Sequence, residues 1–486
     1  MTPNHPFDLQ AAARQTMIER GFIPDFPAAA TEQAAALAAT SPATSPGNLE
    51  DLRHLLWSSI DNDTSRDLDQ IEWAERLPDG KGRVLIGIAD VDAFVPRDSP
   101  IDKYAAAETT TVYTGVHNYS MLPETLSTGL TSLLEGQERV AVIIEFTVDS
   151  DGQAGDKKIY RALVQNRAQL AYDAVGAWLE NRAPAPVKVA ASTDLQAQLK
   201  LQDELAQMLR QARYRHGALN IETAETHPIL VNGAVVDVVN QQKNHATELI
   251  EDFMIAANQV VATSLDAAKL SSLRRIVKTP KRWDRIVALA AEQGGHLPNI
   301  PDSAALNNFL TARKAADPDH FADLSLAVIK LMGPGEYVVQ RPGDPPQGHF
   351  GLAVQDYTHS TAPNRRFADL VTQRLLKSVS AAAPTPYSDD QLNGIAQNCT
   401  LKEDAARKVE REMQKRIAAV AMSNRIGQSF DAMVTGVNEH GTFVRVLQPH
   451  IEGMLVRGQQ GVDVGDKIHV TLVHTDAQRG FIDFAR

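Results

Sequence analysis

The sequence predicts an α+β protein of several domains, and three observations support that prediction. The chain has 486 residues, which is more than a single hydrophobic core usually supports. Two strand-like runs, 69–75 and 83–89, flank the turn sequence L-P-D-G-K-G, a combination typical of a β-hairpin. Helical periodicity takes over after Tyr172, and the last sixty or so residues carry short strand-like runs at regular spacing. A mixed α/β part is therefore expected to precede a small all-β part.

The first fifty residues predict a small helical region followed by a linker. A helical run covers 9–19, and the alanine-rich stretch after it ends in T-S-P-A-T-S-P-G-N, which is typical of a linker. We therefore place an N-terminal region at 1–50.

The long middle part begins with strands and continues with helices. A further strand is expected at 140–148, and a brief hairpin at 229–231 and 235–239 around Asn232-Gly233. Helical spacing then predicts helices, with a break near residue 385 in S-A-A-A-P-T-P-Y-S. The expected helices cover 195–213, the stretch around Leu249 to Val260, 283–293, 304–315, 321–332 and 401–422. This texture predicts a large mixed α/β domain at 51–388 and a helical connection at 389–427.

The last segment, 428–486, predicts a five-stranded barrel of the OB type. Strands are expected at 432–437, 442–447, 468–473 and 481–484, separated by turns that contain glycine. Its glycines and hairpin resemble the RNA-binding fold named after ribosomal protein S1. Phe430, Phe443 and His440 are candidates for stacking on bases. A structural or protein-binding barrel is the alternative.

Composition and charge restrict the class of protein. Hydrophobic residues make up 43% and charged residues 22%, as in ordinary globular proteins. A net charge of −12 argues against a polyanionic partner, although local basic strips such as 274–275, 281–282 and 365–366 can still bind phosphate. Each of these arginine or lysine pairs taken alone is expected to be a solvated surface, with Arg365 the exception.

Cysteine content and the N-terminus predict the compartment. The single cysteine, Cys399, excludes an internal disulfide and is expected to be a packing residue in a helix. No stretch is long and apolar enough to span a bilayer, and no secretory signal is visible. We therefore expect a cytoplasmic protein with no membrane contact.

The segment 60–71, I-D-N-D-T-S-R-D-L-D-Q-I, concentrates four aspartates. Asp67 and Asp69 stand two residues apart, so in an extended chain both side chains project to one face. Oxygen ligands of this kind suit Mg²⁺ or Mn²⁺. The alternative is a solvated acidic loop.

Six motifs follow in an order that resembles the catalytic domain of the ribonuclease II (RNB) family. The resemblance covers roughly residues 55–385 and, with the terminal barrel, accounts for most of the chain. The motifs are I-G-I-A-D-V-D-A-F-V, T-V-Y-T-G, M-L-P-E-T-L-S-T-G-L-T-S-L, L-A-Y-D-A-V, E-L-I-E-D-F-M-I-A-A-N, and H-F-G-L-A-V with S-T-A-P-N-R-R-F-A-D-L-V.

The resemblance implies a processive 3′ to 5′ exoribonuclease that hydrolyses single-stranded RNA to nucleoside 5′-monophosphates. Asp61, Asp67 and Asp69 match family residues that hold divalent metal, expected here to be Mg²⁺ with Mn²⁺ as a possible substitute. Arg365 matches the arginine that contacts the reacting phosphate, where a guanidinium can bind two oxygens. These four residues are the expected catalytic set.

The resemblance also implies RNA-binding residues. Tyr113 matches a tyrosine that stacks on a base near the 3′ end, and Tyr172 and Glu251 match residues that contact the terminal nucleotides and their 2′-hydroxyls. A core tyrosine and a solvated helix face are the alternatives for Tyr172 and Glu251. Phe443 is the candidate in the barrel. His349 is expected to be structural, because metal-assisted hydrolysis does not need a histidine base.

The chain departs from the family in its acidic pattern. The family reads D-x5-D-x-D-D, whereas Gln70 stands at the fourth position. A glutamine oxygen can bind Mg²⁺ but is neutral, and Asp63 is a second candidate for the missing charge. An RNA-binding protein with a disabled metal site is therefore the alternative function; a general metal-dependent nuclease or phosphatase is a third. Single-stranded RNA is the expected partner of a monomer with no obligate protein partner.

Overall fold

The fold is taken from a computed structural model of the chain. It describes residues 7–40, 49–222, 225–231, 234–241, 243–318, 320–439 and 441–486. The linker sequence at 41–48, the turn Asn232-Gly233 and His440 lie outside the described residues. The α+β class, with a helical N-terminal region and a C-terminal five-stranded barrel, is confirmed.

The N-terminal region contains two helices, α1 Leu9–Glu19 and α2 Ala28–Thr40. Helix α1 has the predicted bounds, and it begins where the Asp8 side chain accepts hydrogen bonds from the backbone N–H groups of Gln10 and Ala11. The sequence indicated α2 only as an alanine-rich stretch. Both helices pack against the rest of the chain, so this region is part of the folded body.

A seven-stranded sheet forms the centre of the large domain, in the order β1-β8-β7-β4-β3-β2-β9. The predicted hairpin is confirmed as β3 and β4, in which Gln70 pairs with Ile88 and Arg76 with Gly82. The predicted strand at 140–148 is β7. The strands of this part are β1 Glu50–Asp51, β2 Ser58–Asp61, β3 Gln70–Arg76, β4 Gly82–Ala89, β5 Val112–Tyr113, β6 Asn118–Tyr119, β7 Glu138–Val148, β8 Ala154–Gln165 and β9 Ala168–Ala171.

One face of the central sheet carries helices. A Cβ atom at Gly82 would collide with Leu205 of α6, so the even-numbered residues of β4 face that helix. Their partners on β3, Gln70 and Glu72, point the same way because paired residues of antiparallel strands share a face. The helices of this part are α3 Pro100–Glu108, α4 Tyr172–Leu179, α5 Val187–Ala190, α6 Thr193–Arg215, α7 His245–Ala267, α8 Trp283–Glu292, α9 Ser303–Ala316, α10 Phe321–Met332 and α11 Phe367–Ser380.

Two strand pairs and a long helix complete the connection to the barrel. One pair is the hairpin of β10 Glu225–Val231 with β11 Ala234–Gln241, and the other joins β12 Ser272–Ile276 to β13 Glu336–Gln340, with α8, α9 and α10 between them in the chain. Helix α12, Asp389–Met422, was predicted to begin at residue 401 and that start is wrong. Ser388 and Gln391 form a capping box, which satisfies the first N–H groups of the helix and starts it twelve residues earlier.

The C-terminal barrel is closed and has the predicted number of strands. Its order is β14-β15-β16-β18-β17, and β16 is the fifth strand that the sequence did not locate. Val444, Leu455 and Phe484 are fully buried inside it, and they share one apolar cluster with Met413 and Ile417 of α12. The strands are β14 Ser429–Asn438, β15 Gly441–Val446, β16 Ile451–Arg457, β17 Lys467–Asp476 and β18 Phe481–Ala485.

Arg274 and Arg275 are buried and Arg366 is half-buried, so the expectation of a solvated surface is wrong for these three. Arg274 pairs with Asp266, Arg275 with Glu403 and Arg366 with Asp369. Burial of a guanidinium requires such a partner. Arg274 and Arg275, engaged in these ion pairs, are therefore not available to bind phosphate.

Two further expectations concern Cys399 and the membrane. Cys399 is buried, as predicted for a packing residue. Among the helices in the described part of the chain, none has both the length and the apolar character that crossing a lipid bilayer requires.

Candidate active site

Four segments, distant in sequence, bring their polar side chains to one place. Asp61 ends β2, the loop from β2 to β3 carries Asp67 and Asp69, and the other segments are β5, the start of α4 and the turn before α11. Charges in this group act on one another's pKa values, which places them within electrostatic reach. The residues so brought together are Asp61, Asp67, Asp69, Tyr113, Tyr172 and Arg365.

Asp69 is the most deeply held of the aspartates. It is 2% exposed, its Oδ1 accepts a hydrogen bond of 2.9 Å from the backbone N–H of Asn364, and its Oδ2 lies 3.4 Å from Nε of Arg365. Burial raises the pKa of Asp69 to about 7, although Arg365 and the Asn364 N–H act in the opposite direction. Asp67 is half-buried, and desolvation followed by the charge of Asp61 raises its pKa. A bound cation would therefore favour the charged form of these carboxylates and offset the cost of burying them.

This burial predicts a pH dependence of the metal-free protein. Between the ordinary carboxyl pKa and about 7, Asp69 holds a proton in the folded chain but not in the unfolded chain. Its contribution to the free energy of unfolding is therefore complete at low pH and is lost as the pH rises through about 7. We expect the Tm of Asp69→Asn, relative to wild type and with chelator present, to rise by several degrees between about pH 5 and about pH 8.

The difference in Tm between Asp69→Asn and wild type removes the contributions of the histidines and the other acids, because both proteins share them. Asp79→Asn, in the exposed turn between β3 and β4, is the matched control and should differ from wild type by a constant amount. A constant difference for Asp69→Asn as well would show that Asp69 titrates as an ordinary carboxyl group.

Arg365 and Tyr113 are partly open to water beside the acidic residues. The side chain of Arg365 is 44% exposed, yet desolvation is the largest single influence on its pKa; the pKa is nevertheless raised, since Tyr113 and Asp69 favour the charged form. Tyr113 is 40% exposed, and its pKa is raised chiefly by desolvation. Both side chains are therefore accessible to a ligand that approaches the buried acids.

The donor set fits a divalent cation, although the side chains are not closed around one. Within the described residues, no three His, Cys, Asp or Glu side chains lie close enough together to hold one metal ion. Asp61 is fixed in place because its Oδ1 accepts hydrogen bonds from Asn62 N–H at 2.7 Å and Ser65 Oγ at 2.9 Å. Beside it, both carboxylate oxygens of the buried Glu72 lack a partner among the described residues. Mg²⁺ and Mn²⁺ prefer oxygen ligands, and either ion would give the unpaired carboxylate of Glu72 a partner.

The two candidates for the missing fourth charge lie in different surroundings. Gln70 is 9% exposed and faces inward from β3. Asp63 is exposed and lines a surface depression with Arg66 and Lys188. The structure therefore places Gln70, and not Asp63, in the interior beside the acidic cluster.

The other predicted RNA-binding residues lie in three places. Tyr172 is the first residue of α4, and its pKa is raised by desolvation and then by the charges of Asp61 and Glu72. Glu251, on α7, is exposed and its ion pair is with Lys243 at 2.7 Å. Phe443 lies on β15 in the barrel, half-buried. Only Tyr172 is brought to the acidic cluster by the described interactions.

His349 has the properties of a structural residue. Its Nδ1 accepts a hydrogen bond of 3.1 Å from the backbone N–H of Leu352, and burial lowers its pKa to about 4. A neutral imidazole already engaged with the backbone supports the expectation that it is not the base.

Sequence reasoning missed Glu72, Asn364 and Glu410. A signal for Glu72 existed, because it stands two residues after Gln70 in a predicted strand and must share its face. Asn364 supplies the backbone N–H that holds Asp69, and a backbone donor leaves no mark in the pattern of side chains. Glu410 of α12 accepts a hydrogen bond of 3.1 Å from the backbone N–H of Tyr113, across nearly 300 residues, and nothing local indicates it.

Comparison with known proteins gives a consistent result. The family described as RNB domain matches residues 49–382, more than half of the chain, and the RNase II-type exonuclease C-terminal S1 domain matches residues 428–486. Ribonuclease R 1 of Lactococcus lactis is 28% identical over 97% of this chain and 60% of its own length. Ribonuclease R of Thermotoga maritima is 30% identical over 90% of this chain and 64% of its own length.

Solved structures share the fold. The apo form of Mycoplasma genitalium RNase R superposes with a TM-score of 0.86 at 22% identity, over 98% of this chain and 78% of that one. The same enzyme with ribose-methylated single-stranded RNA gives 0.86 at 23% identity, over the same shares. The chain thus spans somewhat less than two thirds of the length of the two curated relatives.

Proposed function

Because the chain belongs to the RNB family, we propose that it is a processive 3′ to 5′ exoribonuclease that hydrolyses single-stranded RNA to nucleoside 5′-monophosphates. The observation that carries the proposal is the convergence of Asp61, Asp67 and Asp69 with the partly exposed Arg365. The relatives named Ribonuclease R, one of them solved with single-stranded RNA, support the choice of substrate.

The proposed reaction breaks the bond between the last phosphorus and the O3′ atom of the preceding nucleotide. Water adds to the phosphorus, the terminal nucleoside 5′-monophosphate leaves, and the shortened strand keeps a 3′-hydroxyl. Asp61, Asp67 and Asp69 would hold a divalent cation, which would activate the attacking water and neutralise charge on the phosphate; the proton of the water passes to the departing O3′. Arg365 binds the phosphate oxygens and stays charged throughout.

The tyrosines position the strand and select RNA. Tyr113 presents an exposed ring on which the terminal base can stack. Tyr172, beside Asp61, and Glu251 are proposed to contact the terminal riboses, where an acceptor reads a 2′-hydroxyl. Phe443 is proposed to stack on bases further along the strand.

RNB-family ribonucleases depend on divalent metal, and we propose Mg²⁺, with Mn²⁺ able to substitute. Asp61, Asp67 and Asp69 are the proposed ligands, with Gln70 contributing a neutral oxygen. We further propose a cytoplasmic monomer divided into an N-terminal region at 1–50, a catalytic domain at 51–388, a helical connection at 389–427 and an RNA-binding barrel at 428–486.

Digestion of a 5′-labelled oligoribonucleotide and the matching oligodeoxyribonucleotide, with Mg²⁺ or Mn²⁺ supplied in turn, tests the function. We expect mononucleotides to be released from RNA, with short end products and few intermediates, and at least about tenfold slower release from DNA. Retention of RNA without cleavage under both metals would favour the alternative that Gln70 disables the site. Equal cleavage of RNA and DNA would favour a general nuclease.

A further inference from the structure

Glu72 is a carboxylate that the protein interior leaves without a partner. Its side chain is 0% exposed, and neither Oε1 nor Oε2 accepts a hydrogen bond from the described part of the chain. Folded proteins normally pair a buried carboxylate, because an isolated buried charge is costly. This exception indicates that a cation belongs close to it.

The position of Glu72 on β3 directs it to the acidic cluster. Gln70 and Glu72 pair with Ile88 and Ile86 of β4, so the two side chains lie in succession on one face of the strand. Strand β2, which ends at Asp61, lies beside β3 with Ser58 paired to Glu72, so the two carboxylates stand on neighbouring strands.

We infer that Glu72 supplies to the divalent-metal centre the negative charge that Gln70 lacks. The inference rests on the proposed function. The amide of Gln70 keeps an oxygen at the family position, and the carboxylate one step along the same face restores the charge. Asp63, the other source of charge, is exposed and lines the outer surface. Glu72 is therefore a positioning residue that strengthens metal binding without touching the RNA.

Calorimetric titration with Mn²⁺, without RNA, tests the inference on the full chain. We expect Glu72→Gln to weaken Mn²⁺ binding about 10- to 100-fold, which is typical for the loss of a residue that supports metal ligands. Adding Gln70→Asp to Glu72→Gln should return the affinity to within about twofold of wild type, because the charge is then back at position 70. In the wild-type background Gln70→Asp should have a much smaller effect. A purely structural role for Glu72 predicts no such rescue.

Two controls accompany the titration. Glu75→Gln makes the same change on the opposite face of β3, where Glu75 pairs with Arg83 at 2.7 Å, and should keep wild-type affinity. Asp63→Asn should also keep it, and a loss there without a loss in Glu72→Gln would overturn the inference. If Glu72→Gln fails to fold by circular dichroism, Gln70→Asp in the wild-type background decides: an affinity within about threefold of wild type supports the inference, and a gain of about tenfold or more overturns it.

The two proposals fail in distinguishable ways. Equal Mn²⁺ affinity in wild type and Glu72→Gln would overturn the role of Glu72 while the exoribonuclease stands. Wild-type protein that neither binds Mn²⁺ nor releases nucleotides from RNA would overturn both.

Discussion

Asp69→Asn is expected to abolish turnover while leaving RNA binding nearly intact. The cation is expected to stabilise the transition state by several kcal/mol, so its loss should slow hydrolysis by about a thousand-fold or more. Binding should persist because Asp69 is buried, and an amide oxygen can still accept the hydrogen bond from Asn364. Single-turnover hydrolysis with Mg²⁺ and fluorescence anisotropy with chelator measure the two effects separately.

Asp79→Asn in the exposed hairpin turn is the matched control and should hydrolyse RNA at the wild-type rate. Loss of RNA binding together with activity in Asp69→Asn would contradict the assignment. It would show that the acidic cluster mainly holds the fold.

Arg365→Ala should lower activity and Arg366→Ala should lower stability, although the two arginines are adjacent. The side chain of Arg365 is 44% exposed, so its loss should lower kcat by about 100- to 1000-fold with little change in Tm. Arg366 is bound through two nitrogens to Asp369, which is 0% exposed. Its loss leaves a buried charge unpaired and should cost about 3–5 kcal/mol of folding free energy.

The pair is measured by single-turnover hydrolysis and by thermal unfolding of the same samples. Arg365→Lys serves as a further control, since it keeps the charge but not the paired contact with two oxygens, and its activity should lie between wild type and Arg365→Ala. Equal loss of stability in Arg365→Ala and Arg366→Ala would contradict the division of roles.

The sequence predicted elements that local chemistry determines. The hairpin of β3 and β4 follows from its turn residues, and the barrel strands follow from alternation and glycine spacing. Strand β8 was missed because it begins with polar and glycine residues, A-G-D-K-K, and is held by pairing with β7. The first part of α12 contains Asn393, Gly394 and Asn398, which disfavour helix, and burial of Leu392 and Cys399 outweighs that preference.

The candidate site also has some features that the sequence predicts and others that it does not. The spacing of the three aspartates was visible because metal binding needs particular residue types in a short segment. The ion pairs of Arg274, Arg275 and Arg366 were not visible, because a charged residue alone gives no sign of its partner, and the partner of Arg275 lies 128 residues away. The orphaned state of Glu72 is likewise a property of the assembled interior.

Helix α12 has a mechanical consequence. Its Glu410 holds the backbone of Tyr113, and Met413 and Ile417, within two turns of it, share the apolar core of the barrel. The barrel and Tyr113 both contact one continuous helix, whose rise of about 1.5 Å per residue fixes their separation. If RNA is threaded as proposed, the distance from the barrel to the scissile phosphate stays the same in successive rounds of hydrolysis. The strand itself must then be the moving part, advancing one nucleotide at a time past a stationary frame.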